Sequence, residues 1–306
     1  MKVLVATQKP FAPVAVEGIR EIVEKAGYEF ALLEKYPGEA ELAAAAADAD
    51  ALIVRSDKVT AAVLEAAPKL RIVVRAGAGY DNLDLAACSA RGVVAMNTPG
   101  QNSNAVAELA IAMMIFMARG QFTPSTGSEI SGKTLGVQAF GNVGRLVARK
   151  AEALGMKVLA TDPFLTPEQI REGGAEPVES VEELYARSNF VSVHIPATPQ
   201  TVGSIGRELI GRMPKNAVLV NTARKEVIDE AGLAEVLEQR PDLKYVTDVA
   251  PDGYEALREK FGLRIFATPK KMGAQTAEAN INAGLAAARQ IVAFFRDGDE
   301  KYRLNR

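Results

Sequence analysis

The sequence contains a single cysteine, Cys88, and a single histidine, His194. One cysteine cannot form a disulfide within the chain, and together with one histidine it cannot assemble a structural zinc site. The first residues, MKVLVATQKP, are typical of a first β-strand rather than a secretory signal. We therefore expect a cytoplasmic protein without a bound metal.

The sequence also lacks a long apolar run and an excess of positive charge. Its longest apolar stretch, Leu109–Ala118, is shorter than the ~18–20 residues that span a bilayer. It therefore predicts a buried helix, and a position at a subunit contact is compatible with it. A net charge of −2 and a pI near 5.8 provide no positive field to attract nucleic acid or a membrane surface. We therefore predict that the protein binds neither nucleic acid nor a membrane.

Short β-branched runs alternate with helical patterns along the 306 residues, which is typical of βαβ units with parallel sheets. A chain of this length favours two hydrophobic cores. The first series of predicted strands is KVLVAT, ALIVRS, RIVVRAG and VVAMNT. The second is KTLGVQAFG, KVLATD, FVSVHIP, AVLVNTA, YVTDVA and RIFATP. The fold class is therefore α/β, with two doubly wound parallel-sheet domains.

Two helices are expected to connect these domains. One is predicted to begin between the two series, with Ser103 or Asn104 as its N-cap. The last helix, residues 280–298, has no strand after it, which indicates that it packs on the first domain.

The segment TLGVQAFGNVGRLVARKAEALGMKVLATDP matches a dinucleotide-binding fingerprint in its strand, turn and helix context. Gly141 would let the backbone approach a pyrophosphate, and Gly144 would let the helix pack on the sheet. Asp162 would accept hydrogen bonds from ribose hydroxyls and repel a 2′-phosphate, which favours NAD over NADP. The predicted contacts in the turn are Phe140, Gly141, Asn142, Val143 and Gly144.

One position departs from the fingerprint, because Ala139 stands where its first glycine is expected. Alanine serves that turn if its φ is negative. The alternative reading is a glycine turn that only packs a helix on a strand.

With that fingerprint, the chain resembles the D-isomer-specific 2-hydroxyacid dehydrogenase family, and within it the phosphoglycerate dehydrogenase branch that starts serine biosynthesis. The matching segments cover nearly the whole length and include VVRAGAGYDNLDL, VVAMNTPGQNSNAVAELAI, MPKNAVLVNTAR and GAQTAEAN. The resemblance implies a Rossmann-type cofactor domain, residues 97–280, inserted into a flavodoxin-like discontinuous substrate domain, residues 1–96 and 281–306. It also implies homodimers.

The resemblance implies that Arg224 grips the substrate carboxylate and carbonyl oxygen, which suits a fork of donors that stays charged. The family's usual base is a histidine oriented by a glutamate, and both are missing here. Counting from Thr-Pro places Lys270 at the histidine position, whereas counting back from Gly-Ala places Lys271 there. The glutamate position falls on Gly253, beside Asp252.

The absence of both the histidine and the glutamate is chemically coherent. A histidine base needs an acidic partner to fix its tautomer, whereas an ammonium has no tautomers. A lysine base instead needs partial burial or a neighbouring positive charge to release its proton near neutral pH. We therefore predict a lysine acid–base, without choosing between Lys270 and Lys271.

Further cofactor contacts are implied at the strand ends. His194 is predicted to line the adenosine side of the pocket rather than to act as the base, in a segment with Pro196 and Thr198. Asp248 is predicted to hold the nicotinamide carboxamide. The set of predicted cofactor contacts also includes Thr222 and Ala223, which directly precede Arg224.

Substrate contacts are implied in the first domain. The N–H groups around Ala76 and Gly77 are expected to bind the substrate carboxylate. A basic cluster at Arg55, Lys58 and Arg75 favours a phosphorylated hydroxy acid, 3-phosphoglycerate, and Asn102 also reaches the substrate in this prediction. The alternatives are a hydroxypyruvate, glyoxylate or D-lactate type reductase and a catalytically inactive NAD-binding regulator.

Overall fold

A computed structural model describes residues 1–305, and these form twelve strands, twelve α-helices and three short 3₁₀ turns. The strands are β1 (Lys2–Thr7), β2 (Glu29–Glu34), β3 (Ala51–Val54), β4 (Ile72–Arg75), β5 (Val94–Asn97), β6 (Thr134–Gln138), β7 (Lys157–Thr161), β8 (Glu176–Pro177), β9 (Phe190–Val193), β10 (Val218–Asn221), β11 (Lys244–Thr247) and β12 (Ile265–Ala267). The helices are α1 (Pro13–Lys25), α2 (Glu39–Ala46), α3 (Ala61–Ala66), α4 (Leu85–Ala90), α5 (Ser103–Ala118), α6 (Asn142–Ala153), α7 (Pro167–Glu172), α8 (Val181–Arg187), α9 (Arg207–Gly211), α10 (Glu230–Gln239), α11 (Tyr254–Phe261) and α12 (Ala277–Asp297).

The chain divides into two compact units. The first contains residues 1–102 together with the residues from Gln275 onward, and the second contains residues 103–274. The predicted boundaries, after residues 96 and 280, each lie six residues from these. The differences arise because the stretch after β5 stays with the first sheet, whereas the second unit begins with the first residue of α5.

The first unit contains a five-stranded sheet in the order β2-β1-β3-β4-β5, with all neighbours parallel. This is the flavodoxin-like order, with its topological switch point between β1 and β3. Its central strands are buried apolar runs, as expected of a sheet covered by helices on both faces. One helical layer consists of α1 and α12, so the last helix packs on the first unit as predicted.

The second unit contains a seven-stranded parallel sheet in the order β12-β11-β10-β9-β6-β7-β8. Counted from β6, this is the Rossmann order with one additional strand, and the switch point lies between β6 and β9. Two buried apolar clusters flank the sheet. The predicted fold class is confirmed for both units.

The structure differs from the predictions in three local respects. Strands β2 and β8 were not predicted, and β8 has only two residues. Helix α5 begins with Ser103 itself, so its N-cap position is Asn102 rather than Ser103 or Asn104. The apolar stretch Leu109–Ala118 lies in α5, and none of the helices in residues 1–305 has both the length and the apolar character to cross a membrane.

Candidate active site

The carboxyl edge of the second sheet carries the predicted cofactor and catalytic residues in a linear order. Neighbouring strands lie about 4.8 Å apart, so residues that follow adjacent strands are brought together. From one end of the edge to the other, the strands and the residues after them are β7 with Asp162, β6 with Ala139, β9 with His194, β10 with Arg224, β11 with Asp248, and β12 with Lys270 and Lys271.

The turn between β6 and α6 meets the steric conditions of a dinucleotide loop. A β-carbon added at Gly144 would lie 2.3 Å from the carbonyl oxygen of Ala139, so only glycine allows the helix to start this close to the strand. An added β-carbon at Gly141 would meet no atom within 4 Å, which leaves this backbone open to a ligand. Asn142 is exposed, whereas the Phe140 side chain is buried in the core. Phe140 can therefore contact a cofactor only through its backbone.

Ala139 does not meet the condition set for it. Its φ is +74°, which is a conformation that favours glycine and costs an L-residue about 1 kcal/mol or more. The condition of a negative φ at this position is therefore not met. The turn keeps the glycine conformation, and alanine adopts it under strain.

Asp162 lies at the end of β7 with its carboxylate fixed by the backbone. One oxygen accepts a hydrogen bond from the N–H of Phe140 at 2.8 Å, and the other accepts from the N–H of Phe164 at 2.9 Å. The residue lines a cavity of about 690 Å³. Other lining residues include Ala139, Leu165, Val178, Ser180, Ile195, Thr201 and Leu209.

His194 follows β9 at the switch point, where its N–H donates to the carbonyl of Gln138 at 2.9 Å. Its Nε2 lies 2.9 Å from the Ser192 hydroxyl. Burial lowers the pKa of His194 to about 4, so the imidazole is neutral near pH 7. Its neighbour Ile195 lines the cavity, and Thr201 Oγ1 donates to Pro196 O and receives a hydrogen bond from the N–H of Thr198.

Arg224 is held by the turn that follows β10. The fully buried Asn221 donates to the carbonyl of Arg224 at 2.8 Å and accepts from the N–H of Ala223 at 2.9 Å. The Arg224 side chain is exposed, and its one hydrogen bond goes to Ala223 O at 3.0 Å. Within residues 1–305 it forms no ion pair, so its charge is available to an anion.

Asp248 fixes the turn that carries the two lysines. Its side chain is only 1% exposed, and it accepts from Thr268 Oγ1 at 2.8 Å, Met272 N–H at 2.7 Å and Gly273 N–H at 2.8 Å. Lys270 and Lys271 lie between these contacts, and both are exposed. Both carboxylate oxygens of Asp248 thus accept hydrogen bonds from within the protein. The sequence analysis, which predicted a contact to nicotinamide, did not predict these bonds.

The loop at the position of the missing glutamate is organised by other residues. Glu230 accepts from the N–H groups of Asp252 and Gly253 at 2.9 and 3.4 Å. The Asp252 carboxylate forms an ion pair with Lys225. The nearest acidic side chain in this loop is therefore committed to the residue that follows Arg224.

In the first unit, Arg55 directly follows β3, and Arg75 is the last residue of the neighbouring strand β4. Arg55 donates to Lys9 O and Pro10 O at 3.0 Å and to Asn280 Oδ1 at 2.7 Å, and Arg75 Nε donates to Arg55 O at 2.9 Å. Burial lowers the pKa of both guanidinium groups. Neither forms an ion pair in the described chain, and the attraction of Asp57 for Arg55 and of Asp81 for Arg75 is weaker than the effect of burial.

The predicted N–H donors at Ala76 and Gly77 are already occupied. Ala76 N–H donates to Val54 O at 2.8 Å, and Gly77 N–H donates to Thr98 Oγ1 at 2.6 Å. The role assigned to these two groups is therefore wrong in this conformation. Gly77 serves another purpose, because its φ is +143° and an added β-carbon would lie 1.5 Å from Arg75 Nη1.

Several residues of the site were not identified in the sequence. Asp57 is buried and accepts from Gln8 N–H and Tyr36 Oη, each at 2.7 Å, so it ties together the loops after three strands. An acidic residue directly after a strand and between two cations was the available signal. The cavity residues Val178 and Ser180 were missed together with strand β8.

The second unit fits a dinucleotide such as NAD. The open backbone at Gly141 lies at the N-terminus of α6, which favours a pyrophosphate. The anchored carboxylate of Asp162 lines a cavity of ligand size. Thr222 Oγ1 is buried without a hydrogen-bond partner in the described chain, so it can bond to a bound molecule.

Comparisons with known proteins agree with this geometry. Residues 105–261 match the sequence model of the "D-isomer specific 2-hydroxyacid dehydrogenase, NAD binding domain". A D-3-phosphoglycerate dehydrogenase of Methanocaldococcus jannaschii is 39% identical over 264 residues, which cover 81% of this chain and 50% of that protein. The chain thus spans about half the length of such relatives.

Two further relatives are similar over most of their own lengths. The crystal structure of NAD⁺-bound 3-phosphoglycerate dehydrogenase from Entamoeba histolytica has 49% identity and a TM-score of 0.85, with 100% of this chain and 99% of that chain covered. A hydroxypyruvate reductase of Thermotoga maritima is 38% identical over 264 residues, which cover 80% of this chain and 84% of the relative.

The strain at Ala139 generates a stability prediction. We expect Ala139→Gly to raise the free energy of unfolding by about 1 kcal/mol, because it removes the positive-φ penalty. Denaturant titration measures this as a higher midpoint at unchanged slope. The control Ala44→Gly lies at an exposed position within α2 and should lower stability by about 0.5–1 kcal/mol. A lower midpoint for Ala139→Gly would contradict the strain.

The neutral state of His194 generates a pH prediction. The unfolded chain takes up a proton below about pH 6.5 and the folded chain only near pH 4, so this group lowers stability as pH falls between these values. From pH 6.5 to about pH 5 the loss is about 2 kcal/mol. The His194→Gln variant should not show this loss of stability in denaturant titrations. A single-histidine NMR titration giving an ordinary pKa would refute this.

Proposed function

The chain belongs to the D-isomer-specific 2-hydroxyacid dehydrogenase family, and from this premise we propose that it catalyses the NAD-dependent oxidation of D-3-phosphoglycerate to 3-phosphohydroxypyruvate. That reaction is the first step of serine biosynthesis. The observation that carries the proposal is the arrangement of three neighbouring strand ends. Arg224 follows β10, Asp248 follows β11, and the two lysines follow β12.

These strand ends supply what the oxidation of a secondary alcohol requires. Bound NAD⁺ supplies the hydride acceptor. Arg224 offers a free guanidinium that holds the substrate carboxylate and carbonyl oxygen through two donors. Lys270 or Lys271 takes the hydroxyl proton. The backbones of β10 and β12 lie about 10 Å apart, and the side chains of Arg224 and the lysine shorten this distance by extending towards each other. The same sheet edge would thus both orient the hydroxy acid substrate and remove its hydroxyl proton.

The surroundings of the lysines support an amine in place of a histidine. A histidine base depends on a carboxylate that fixes its tautomer, and the Asp252 carboxylate here is paired with Lys225. The cation at Arg224 favours a neutral amine nearby. Asp248 positions the turn instead, through its three hydrogen bonds to residues on both sides of the lysines.

The first unit supports a phosphorylated substrate. Two partly buried guanidinium groups, Arg55 and Arg75, form no ion pair in the described chain, and Lys58 is exposed nearby. Arg55 also lies at the switch point of this sheet, where α/β sheets bind ligands. We retain Asn102 as a proposed substrate contact.

The cofactor assignment rests on the edge residues from Asp162 to Thr222. Asp162 accepts the ribose hydroxyls, Gly141 and the start of α6 receive the pyrophosphate, and neutral His194 lies beside the adenosine cavity. The remaining proposed contacts are Phe140 through its backbone, Asn142, Val143, Pro196, Thr198, Thr222 and Ala223.

A hydroxypyruvate reductase activity is the second candidate, because the Thermotoga maritima relative carries that name and matches this chain over most of its length. The two candidates differ in whether the substrate carries a phosphate. Comparing kcat/KM for 3-phosphoglycerate with that for glycerate separates them.

We also propose a cytoplasmic homodimer. A cavity of about 420 Å³ on the outer face of α5 is lined almost entirely by apolar side chains, and Phe122 beside it is 70% exposed. Such a patch is typical of a protein contact. A second copy of the chain is the occupant that the family resemblance implies. The lining residues are Leu109, Ala112, Met113, Ile115, Phe116, Phe122, Phe266 and Thr268.

Replacing the lysines tests the proposed acid–base group. We expect either Lys270→Met or Lys271→Met to lower kcat about 100-fold or more, because general acid–base catalysis contributes about 10²–10⁴. The other single variant should stay near the unaltered protein, and the double variant should match the weaker single. NADH formation from 3-phosphoglycerate and NAD⁺ measures this.

The control for that experiment is Lys260→Met, an exposed lysine on α11, which should keep full activity. Full turnover by the double variant would exclude a lysine base. Tight NAD binding without any reduction in the unaltered protein would favour the inactive regulator.

A further substitution tests the role of Arg75. Gly77→Ala places a methyl group on Arg75 Nη1, so we expect KM for 3-phosphoglycerate to rise about tenfold, the effect of ~1.4 kcal/mol. NAD affinity, measured by fluorescence, should not change, because the cofactor residues lie in the other unit. Gly38→Ala, where an added β-carbon has space, is the control. An unchanged KM in Gly77→Ala would remove Arg75 from the substrate site.

A further inference from the structure

A second polar cavity lies at the opposite, amino edge of the seven-stranded sheet. Its volume is about 330 Å³, at the lower end of the range of small-molecule pockets. It is lined from the amino ends of β6, β9, β10 and β11 and from the loop that follows α5. The cofactor and catalytic residues follow the carboxyl ends of these strands, so this cavity is a separate site.

Three lysines face this cavity, namely Lys133 before β6, Lys215 before β10, and Lys244 at the start of β11. The lining that residues 1–305 define contains no aspartate or glutamate. Neither Lys133 nor Lys215 forms an ion pair in that part of the chain. Since the whole protein carries a net charge of −2, this local excess of positive charge is not a consequence of composition.

The remaining lining supplies hydrogen-bonding groups of a kind that suits oxyanions. Ser125, Thr126 and Ser128 contribute hydroxyl groups from the loop after α5, and Asn189 and Asn216 contribute side-chain amides. Hydroxyl and amide groups can donate to phosphate oxygens while the ammonium groups balance their charge. The cavity thus combines charge and donors without a competing carboxylate.

The backbone around the cavity is firmly held. Ser128 N–H donates to Ala118 O at 2.8 Å, which folds the loop over the end of α5. The turn at Lys215 is fixed by Arg240, which donates to Met213 O and Pro214 O at 3.3 Å, and by Asp242, which accepts from Asn216 N–H at 2.9 Å. The lysines therefore project from fixed positions.

Lys244 has a structural role that the other two lysines lack. Its Nζ donates to the carbonyl of Met117 at 3.1 Å, at the C-terminal end of α5, and burial lowers its pKa. Helix ends of this kind favour a cation, so Lys244 has a reason to be present without a ligand. Lys133 and Lys215 have no comparable contact in the described chain, and they carry the inference.

We propose that this cavity binds a small phosphate-bearing polyanion, with Lys133 and Lys215 as its principal ligands. About eleven water molecules of ~30 Å³ each would fill the volume, which accommodates a pyrophosphate or a sugar bisphosphate but not a dinucleotide. Lys133 precedes β6 and Lys215 precedes β10, and these strands are two strand spacings or roughly 10 Å apart at the backbone. Two separated anionic groups match this span better than one.

Site-resolved lysine acetylation tests the proposal. The NAD-saturated protein is acetylated with and without inorganic pyrophosphate at matched ionic strength, and peptide mass spectrometry reports the rate at each lysine. Saturation with NAD keeps the probe out of the dinucleotide site. We expect acetylation of Lys133 and Lys215 to slow about tenfold when pyrophosphate exceeds its dissociation constant about tenfold.

The internal control is Lys157, which begins β7 at the same edge but does not line the cavity, together with Lys260. Both should react at unchanged rates. Equal slowing at Lys157 and Lys133, or the same effect from chloride, would reduce the result to ionic screening and overturn the proposal. An unchanged rate at all lysines with pyrophosphate and with a sugar bisphosphate would also overturn it.

A variant pair extends the test to the third lysine. In Lys133→Met/Lys215→Met, pyrophosphate should no longer protect Lys244, whereas Lys157→Met/Lys260→Met should retain that protection. Thermal unfolding without ligand establishes that both double variants fold. Persisting protection of Lys244 in the first variant would remove the two lysines from the site. Separate runs with inorganic phosphate, pyrophosphate and fructose 1,6-bisphosphate distinguish one anionic group from two and inorganic from organic sources.

Discussion

The hydrogen bonds of the Asp248 carboxylate are the constraint on which the catalytic edge depends. Three donors, one hydroxyl and two backbone N–H groups, converge on a side chain that is almost fully buried. Each buried donor left without a partner would cost about 1–3 kcal/mol. The contacts bracket Lys270 and Lys271 in sequence, so they fix the course of the turn while both side chains stay exposed.

The same edge carries other residues at the positions where the family resemblance implies a histidine and a glutamate. The loop that would carry the glutamate is held by Glu230 from α10 and by the ion pair between Asp252 and Lys225. Those acidic groups therefore support backbone rather than a base. The neutral His194 follows β9, which lies three strands away from β12, the strand that the two lysines follow.

Periodicity and turn residues predicted ten of the strands and the two-unit architecture, because buried parallel strands are continuous β-branched runs. Strand β2 escaped since its side chains are mostly half-exposed, and β8 has only two residues. The φ of Ala139 and the occupied N–H of Gly77 depend on contacts with distant residues. Asp57 was likewise hidden, because its partners Gln8 and Tyr36 come from other strands. Local sequence does not encode such contacts.

The first unit is built from both ends of the chain, with 172 residues of the second unit inserted between Asn102 and Gln275. Helix α12 supplies buried residues that pack on α1 and on strands β3 and β4. During synthesis, the inserted unit is complete before α12 emerges from the ribosome, so it can fold first. The first unit, which carries Arg55 and Arg75, has part of its core uncovered until α12 has been synthesised. Its maturation is then tied to the synthesis of α12, and the inserted unit is available earlier as a folded scaffold.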